Sequence, residues 1–206
     1  MTPQEVGSAQ QCTPDAGNGG GGGTEDQEEP CCNSPILLSL SGARYFLTSV
    51  PEGVRFDLRN EGVERQVAWT EPGADIAFLA LDRNRNGRID SGAELFGDST
   101  RLTSGRLALH GFEALRELDD TFDGVLDARD AAWDELLLWT DRNHDGDSSA
   151  DELTPVSNTQ VTALNTECHF MGRRDQWGNE FRYMSRFELD GANYRPYYDV
   201  FLQTGD

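Results

Sequence analysis

Apolar residues gather only from Pro35 onward, in short runs that predict strands. ILLSL (36–40), ARYFLTS (43–49), GVRFDL (53–58) and VERQVAWT (63–70) are such runs, the last with apolar Val63, Val67 and Trp69. IAFLAL (76–81) is continuously apolar and reads as a buried strand or a helix turn. The period then changes. GFEALREL (111–118) spaces Phe112, Leu115 and Leu118 at helical intervals, and ARDAAWDELLLW (128–139) does so through Ala132, Trp133, Leu136 and Leu137. Strands return at 161–170, 180–189 and 197–204, rich in β-branched and aromatic residues. The expected class is α+β, with strand segments flanking a helical, loop-rich core.

Composition sets residues 1–34 apart from a domain at 35–206. The segment carries GNGGGGG at 17–23, EDQEE at 25–29, six acids (Glu5, Asp15, Glu25, Asp26, Glu28, Glu29) and no Arg. It cannot bury enough apolar area to offset chain entropy, so a disordered tail or tether is expected. The formal charge of −20 argues against nucleic acid and anionic membrane surfaces as partners and favours cations. No run reaches the ~18 apolar residues of a membrane span. No apolar export segment follows Met1; a lipid anchor at Cys12 has only the polar VGSAQQ before it. Cys12, Cys31, Cys32 and Cys168 permit disulfides of unspecified pairing. Cys168 and His169, adjacent on a strand, face opposite ways and make a poor catalytic pair.

The chemistry lies in three acidic loops. A twelve-residue EF-type loop places oxygen ligands at positions 1, 3, 5, 7, 9 and 12, with Gly at 6 for the turn and a backbone carbonyl at 7. In DRNHDGDSSADE, Asp141, Asn143, Asp145, Asp147 (carbonyl), Ser149 and Glu152 fill those slots around Gly146; position 8, usually apolar, is Ser148. In DRNRNGRIDSGAE they are Asp82, Asn84, Asn86, Arg88 (carbonyl) and Asp90 around Gly87. The exit acid, Glu94, comes one residue late, which a bulge could correct, and Asp98 is a spare. In DDTFDGVLDARD they are Asp119, Thr121, Asp123, Val125 (carbonyl), Asp127 and Asp130 around Gly124. Predicted helices flank this second loop, and 128–139 is expected to wall the second and third loops together. FDLRNEGVE (56–64) reads as a decayed fourth copy, with Arg59 at position 3 pointing at the cation and abolishing binding. A lone match of this kind is more often a plain turn; three, each with Gly at the required offset, predict two to three bound calcium ions. Multi-carboxylate loops with a long exit acid favour calcium over magnesium.

Three stretches, FLALDRNRNGRIDSGAELFGDST, HGFEALRELDD and DGVLDARDAAWDELLLWTDRNHDGDSSADEL, resemble the calcium-dependent module of bacterial RTX-type secreted proteins over roughly residues 35–165. The resemblance implies an exported, calcium-loaded domain in the extracellular space or cell envelope. Some members cut their own chain at an Asp-Pro bond. Here that position reads Ser34-Pro35, and the chain contains no Asp-Pro.

The leading expectation is a non-enzymatic calcium-binding domain that folds or tightens on calcium, with no catalytic residues. The alternatives are a calcium-dependent self-processing or hydrolytic enzyme, and an adhesion module binding an unidentified protein or cell-surface partner through Tyr183, Tyr194, Tyr197 and Tyr198. His110, His144 and His169 form no triad in sequence; His144 falls inside the third loop.

Overall fold

A computed structural model describes residues 34–42 and 44–205. Apart from Ser34, the expected tail lies outside the described residues. The strands are β1 (Ile36–Leu38), β2 (Val54–Phe56), β3 (Arg65–Val67), β4 (Ala77–Leu81), β5 (Val125–Asp127), β6 (Leu136–Trp139), β7 (Leu153–Pro155), β8 (Val161–Asn165), β9 (His169–Arg174), β10 (Glu180–Leu189) and β11 (Asn193–Phe201). Nine of them form one antiparallel sheet in the order β5-β8-β10-β11-β1-β4-β6-β7, with β9 also paired to β10. This sheet curls into half a barrel. β2 and β3 form a separate hairpin.

The central strands β1 and β4 are apolar throughout because both sheet faces are covered. On one face Ile36, Leu38, Leu79, Phe96, Phe112 and Phe187 pack together; on the other, Leu37, Phe56, Trp69, Phe78 and Trp139 do so. β10 alternates instead, burying Phe181, Tyr183, Ser185, Phe187 and Leu189 between more exposed residues. Among the described residues no helix is long and apolar enough to cross a membrane.

The fold is mostly β, which overturns the α+β expectation. The predicted helix at 111–118 survives as one short helix, α1 (Gly111–Arg116). The predicted helix at 128–139 does not exist. Its first part is a 3-10 turn at Trp133–Glu135, and its last four residues are β6, paired with β4 from Phe78↔Trp139 to Leu81↔Leu136. A short apolar run buried on both faces satisfies a helical period as well as a strand, and here the partner strand decides. Among the described residues no named strand forms at 44–49, where a bridge joins Leu47 to Thr70. The run at 161–170 divides into β8 and the start of β9.

Candidate functional site

The three loops share one wiring scheme. In each, the first Asp accepts the N–H of the position-6 glycine: Asp82 from Gly87 at 2.8 Å, Asp119 from Gly124 at 2.8 Å, Asp141 from Gly146 at 3.0 Å. Those glycines have φ of +82, +83 and +78°, and the position-4 residues Arg85, Phe122 and His144 are also left-handed, at +59, +57 and +60°. Left-handed backbone disfavours L side chains, so three separate segments accept the same local cost to make the same turn. At position 5, Asn86, Asp123 and Asp145 each accept the N–H two residues on, from Arg88, Val125 and Asp147, at 2.8, 3.0 and 2.8 Å. Asn84 and Asn143 at position 3 accept from Asn86 and Asp145, while the Thr121 hydroxyl donates to Asp119.

The exit acids close the loops. Glu94 accepts from the Asn84 and Asp90 amides, Asp130 from those of Asp120, Thr121 and Asp127, and Glu152 from those of Arg142 and Ser149. Glu94, although one residue late, therefore reaches back like the others. All prospective ligands are carboxylate, amide, hydroxyl or carbonyl oxygens, a donor set that fits calcium and disfavours softer metals. Among the described residues no three His, Cys, Asp or Glu side chains converge as a preformed cage; Asp and Glu supply only part of each loop's donor set.

The loops are electrostatically unequal. Burial pushes the Asp141 carboxyl up against the pull of its N–H donors. Burial also pushes Glu94 up, aided by the charges of Asp90 and Asp82. Burial acts on Glu152 too, but the Ser149 amide and hydroxyl and the Arg142 and Asn143 amides together outweigh it and hold this acid low. In loop 2 the Arg129 guanidinium holds Asp127 low.

The spatial grouping differs from the sequence reading. Without a helix at 128–139, no helical wall joins the second and third loops, and the second loop runs from the short α1 into β5 rather than between two helices. Instead the first and third loops meet. The Ile89 amide donates to the Ser148 hydroxyl at 2.7 Å, both residues being at position 8. That contact gives the unusual Ser148 its role. Trp69 ties the third loop to the core, its indole N–H donating to Asp141 Oδ2 at 2.9 Å. The fourth segment keeps the turn: Asp57 accepts from Glu61 and Gly62 at 2.9 and 2.7 Å, with Asn60 and Gly62 left-handed. Arg59 does not point at a cation position; it reaches Thr204 Oγ1 at 3.4 Å.

A second cluster surrounds Ser34 and Pro35. Ser34 is buried; its N–H donates to Asp98 Oδ1 at 3.0 Å and its Oγ accepts the Asp98 N–H at 3.2 Å. Asp98 thus serves Ser34 rather than the first loop. The Pro35 carbonyl accepts from Val200 at 3.0 Å. A Cβ on Gly97 would lie 1.4 Å from the Ser34 carbonyl oxygen, so only glycine permits this approach. Asp199, fully buried beside them, accepts the Gly111 N–H at 2.6 Å. Burial pushes its carboxyl up to about 8, with the Gly111 amide opposing, the Asp98 charge adding, and the Ser34 hydroxyl and Arg182 opposing. Sequence reading passed over Asp199; the available signal was a lone carboxylate inside the apolar run YYDVF.

Cys168 is buried and disulfide-bonded, which removes it as a thiolate nucleophile; the other cysteines lie outside the described residues. Tyr183 and Tyr197 belong to the core, and Tyr194 is exposed.

Comparison with known proteins places these features in a family context. The SPM domain model matches residues 36–203, beginning immediately after Ser34-Pro35. Over 112 residues the chain is 45% identical to the iron-regulated protein FrpA of Neisseria meningitidis serogroup C, covering 54% of this chain and 10% of that protein. The matched region is about a tenth of the length of that curated relative.

Proposed function

Because the chain belongs to the SPM domain family, we propose that it is a calcium-binding module of an exported RTX-type protein, in which two to three ions fix the acidic loops against one curled sheet. The carrying observation is the repeated wiring of three loops, with the first Asp on the Gly amide and the exit acid folded back on an amide of the loop entrance. Asp82, Asn84, Asn86, the Arg88 carbonyl, Asp90 and Glu94 would hold one ion. Asp119, Thr121, Asp123, the Val125 carbonyl, Asp127 and Asp130 would hold another, and Asp141, Asn143, Asp145, the Asp147 carbonyl and Glu152 a third. Bound calcium supplies the positive charge that lets these carboxylates crowd together, so its binding free energy becomes folding free energy. Replacing Glu152 by Gln removes the exit charge of the third loop and is expected to weaken that site at least about tenfold. A calcium titration read at the Gly146 amide checks this; unchanged affinity rules Glu152 out as a ligand.

The Ser34 cradle favours a second reading, that of a calcium-dependent self-processing module. A carboxylate at residue 34 can attack its own carbonyl carbon through a five-membered ring, forming a cyclic anhydride as the C–N bond to Pro35 breaks and the Pro35 nitrogen takes a proton and leaves as the amine. Water then opens the anhydride. The Ser34 hydroxyl would instead need a strained four-membered ring. Asp98 and Asp199, with its raised affinity for a proton, flank that bond. Ser34→Asp is therefore expected to yield, on calcium addition, a chain cut after residue 34, while the native chain stays whole. Mass spectrometry checks it, and an intact, folded Ser34→Asp chain in calcium sinks this reading.

A further inference from the structure

Loop 2 differs from the other two at position 11. That position is Gly92 in loop 1, where a Cβ would strike the Leu58 carbonyl oxygen at 1.8 Å, and Asp151 in loop 3, where the carboxylate accepts from the Ser149 hydroxyl at 2.8 Å. In loop 2 it is Arg129. The Arg129 guanidinium spans two prospective ligands: Nη2 lies 2.6 Å from Asp123 Oδ2 and 2.7 Å from Asp127 Oδ2, and Nε donates to Asp127 Oδ1 at 3.0 Å. Asp123 and Asp127 are positions 5 and 9. In loop 1 the same two positions are joined without a charge, by Asn86 Nδ2 donating to Asp90 Oδ2 at 2.7 Å. In loop 3, Asp145 Oδ2 accepts from Asn143 Nδ2 at 2.8 Å. Arg83, Arg85 and Arg142 turn to other partners: the Ala93 carbonyl, Glu135 and the Asp151 carbonyl.

Loop 2 also has the highest ligand charge. Its prospective set contains four carboxylates (Asp119, Asp123, Asp127, Asp130), against three in loop 1 (Asp82, Asp90, Glu94) and three in loop 3 (Asp141, Asp145, Glu152). Four like charges in one turn repel one another, and a forked guanidinium is the side chain best shaped to neutralise two of them at once. The same contact occupies carboxylate oxygens that a cation needs.

We propose that Arg129 is a built-in competitor for calcium at loop 2: it holds the loop together by satisfying Asp123 and Asp127, and a calcium ion must displace or share it. The inference rests on the calcium reading of the loops. It makes loop 2 a weaker site than its four carboxylates alone would give, and makes Arg129 the residue that sets its affinity.

The test is a calcium titration of the whole chain followed by NMR at the Gly87, Gly124 and Gly146 amides, each bonded to the first Asp of its own loop. Removing a positive charge that sits in direct contact with two ligand carboxylates is worth about tenfold in affinity for a divalent cation, whereas a charge turned away from the ligands into solvent is screened to far less. Arg129→Gln is therefore expected to tighten the Gly124 response about tenfold and leave Gly87 and Gly146 within about twofold. Arg142→Gln, which removes the same charge near loop 3 without freeing a ligand, is expected to leave all three within about twofold. Arg129→Lys keeps the charge but loses the fork, and is expected to stay within about threefold of the native chain. A Gly124 response that is unchanged or weaker in Arg129→Gln, with Gly87 and Gly146 still responding, overturns the role of Arg129 and leaves the calcium reading standing. No response at any of the three glycines overturns both.

Discussion

Stripping calcium is expected to lower the melting temperature of this protein by roughly 10–20 °C. Ligand held at about one hundred times its dissociation constant stabilises the native state by about 2.7 kcal/mol per site, so two ions contribute about 5 kcal/mol. For a domain of this size each kcal/mol moves the midpoint by about 2–4 °C. The loops that would pay the penalty are tied into the sheet. Loop 1 leads directly out of β4, loop 3 directly out of β6, and these strands pair with each other in the main sheet. Burial already pushes the Asp141 and Glu94 carboxyls up, a sign that their charges are poorly compensated by the protein alone. Melts in excess calcium and in excess chelator check the result. A midpoint that moves less than about 2 °C shows the loops to be turns that do not depend on metal.

Trp69→Ala is the second large effect. The indole is fully buried, with its ring centroid 4.3 Å from that of Phe78, 5.2 Å from Phe56 and 5.5 Å from Trp139. Truncating a side chain of this size in a packed core costs about 3–5 kcal/mol. The indole N–H also holds Asp141, the first residue of loop 3, so the same change leaves a buried carboxylate without one of its donors. Trp69→Phe separates the two effects. It keeps most of the ring packing, removes only the donor, and is expected to cost about 1–3 kcal/mol. If Trp69 positions the loop, Trp69→Phe weakens the calcium response at Gly146 and leaves Gly124 as in the native chain. A Gly146 response in Trp69→Phe that matches the native chain confines Trp69 to packing. Denaturant titrations in chelator and calcium titrations by NMR provide the two readouts.

The loops were legible in the sequence because their chemistry is local. Asp at position 1, Gly at position 6 and an acid near position 12 fix a turn whose closing hydrogen bonds fall within about a dozen residues, and the late Glu94 accepts from the Asn84 and Asp90 amides. The long strand at 180–189 was legible because it alternates with period two. What failed depended on distant partners. LLLW at 136–139 is a strand because β4 lies beside it, and no local pattern distinguishes that from a helix. The meeting of loops 1 and 3 through Ile89 and Ser148 spans 59 residues. Ser34 and Asp98 are 64 apart, and Gly111 and Asp199 are 88 apart. Arg59 was expected to aim at a cation because of its register, yet Thr204, at the far end of the chain, draws it elsewhere.

The most direct measurement of the central claim is a count of bound calcium, by equilibrium dialysis of the full chain followed by metal analysis. At millimolar free calcium the chain is expected to hold about two to three ions, and about one fewer in Glu152→Gln. A native chain that retains less than about half an ion at that concentration contradicts the claim that these loops are calcium sites.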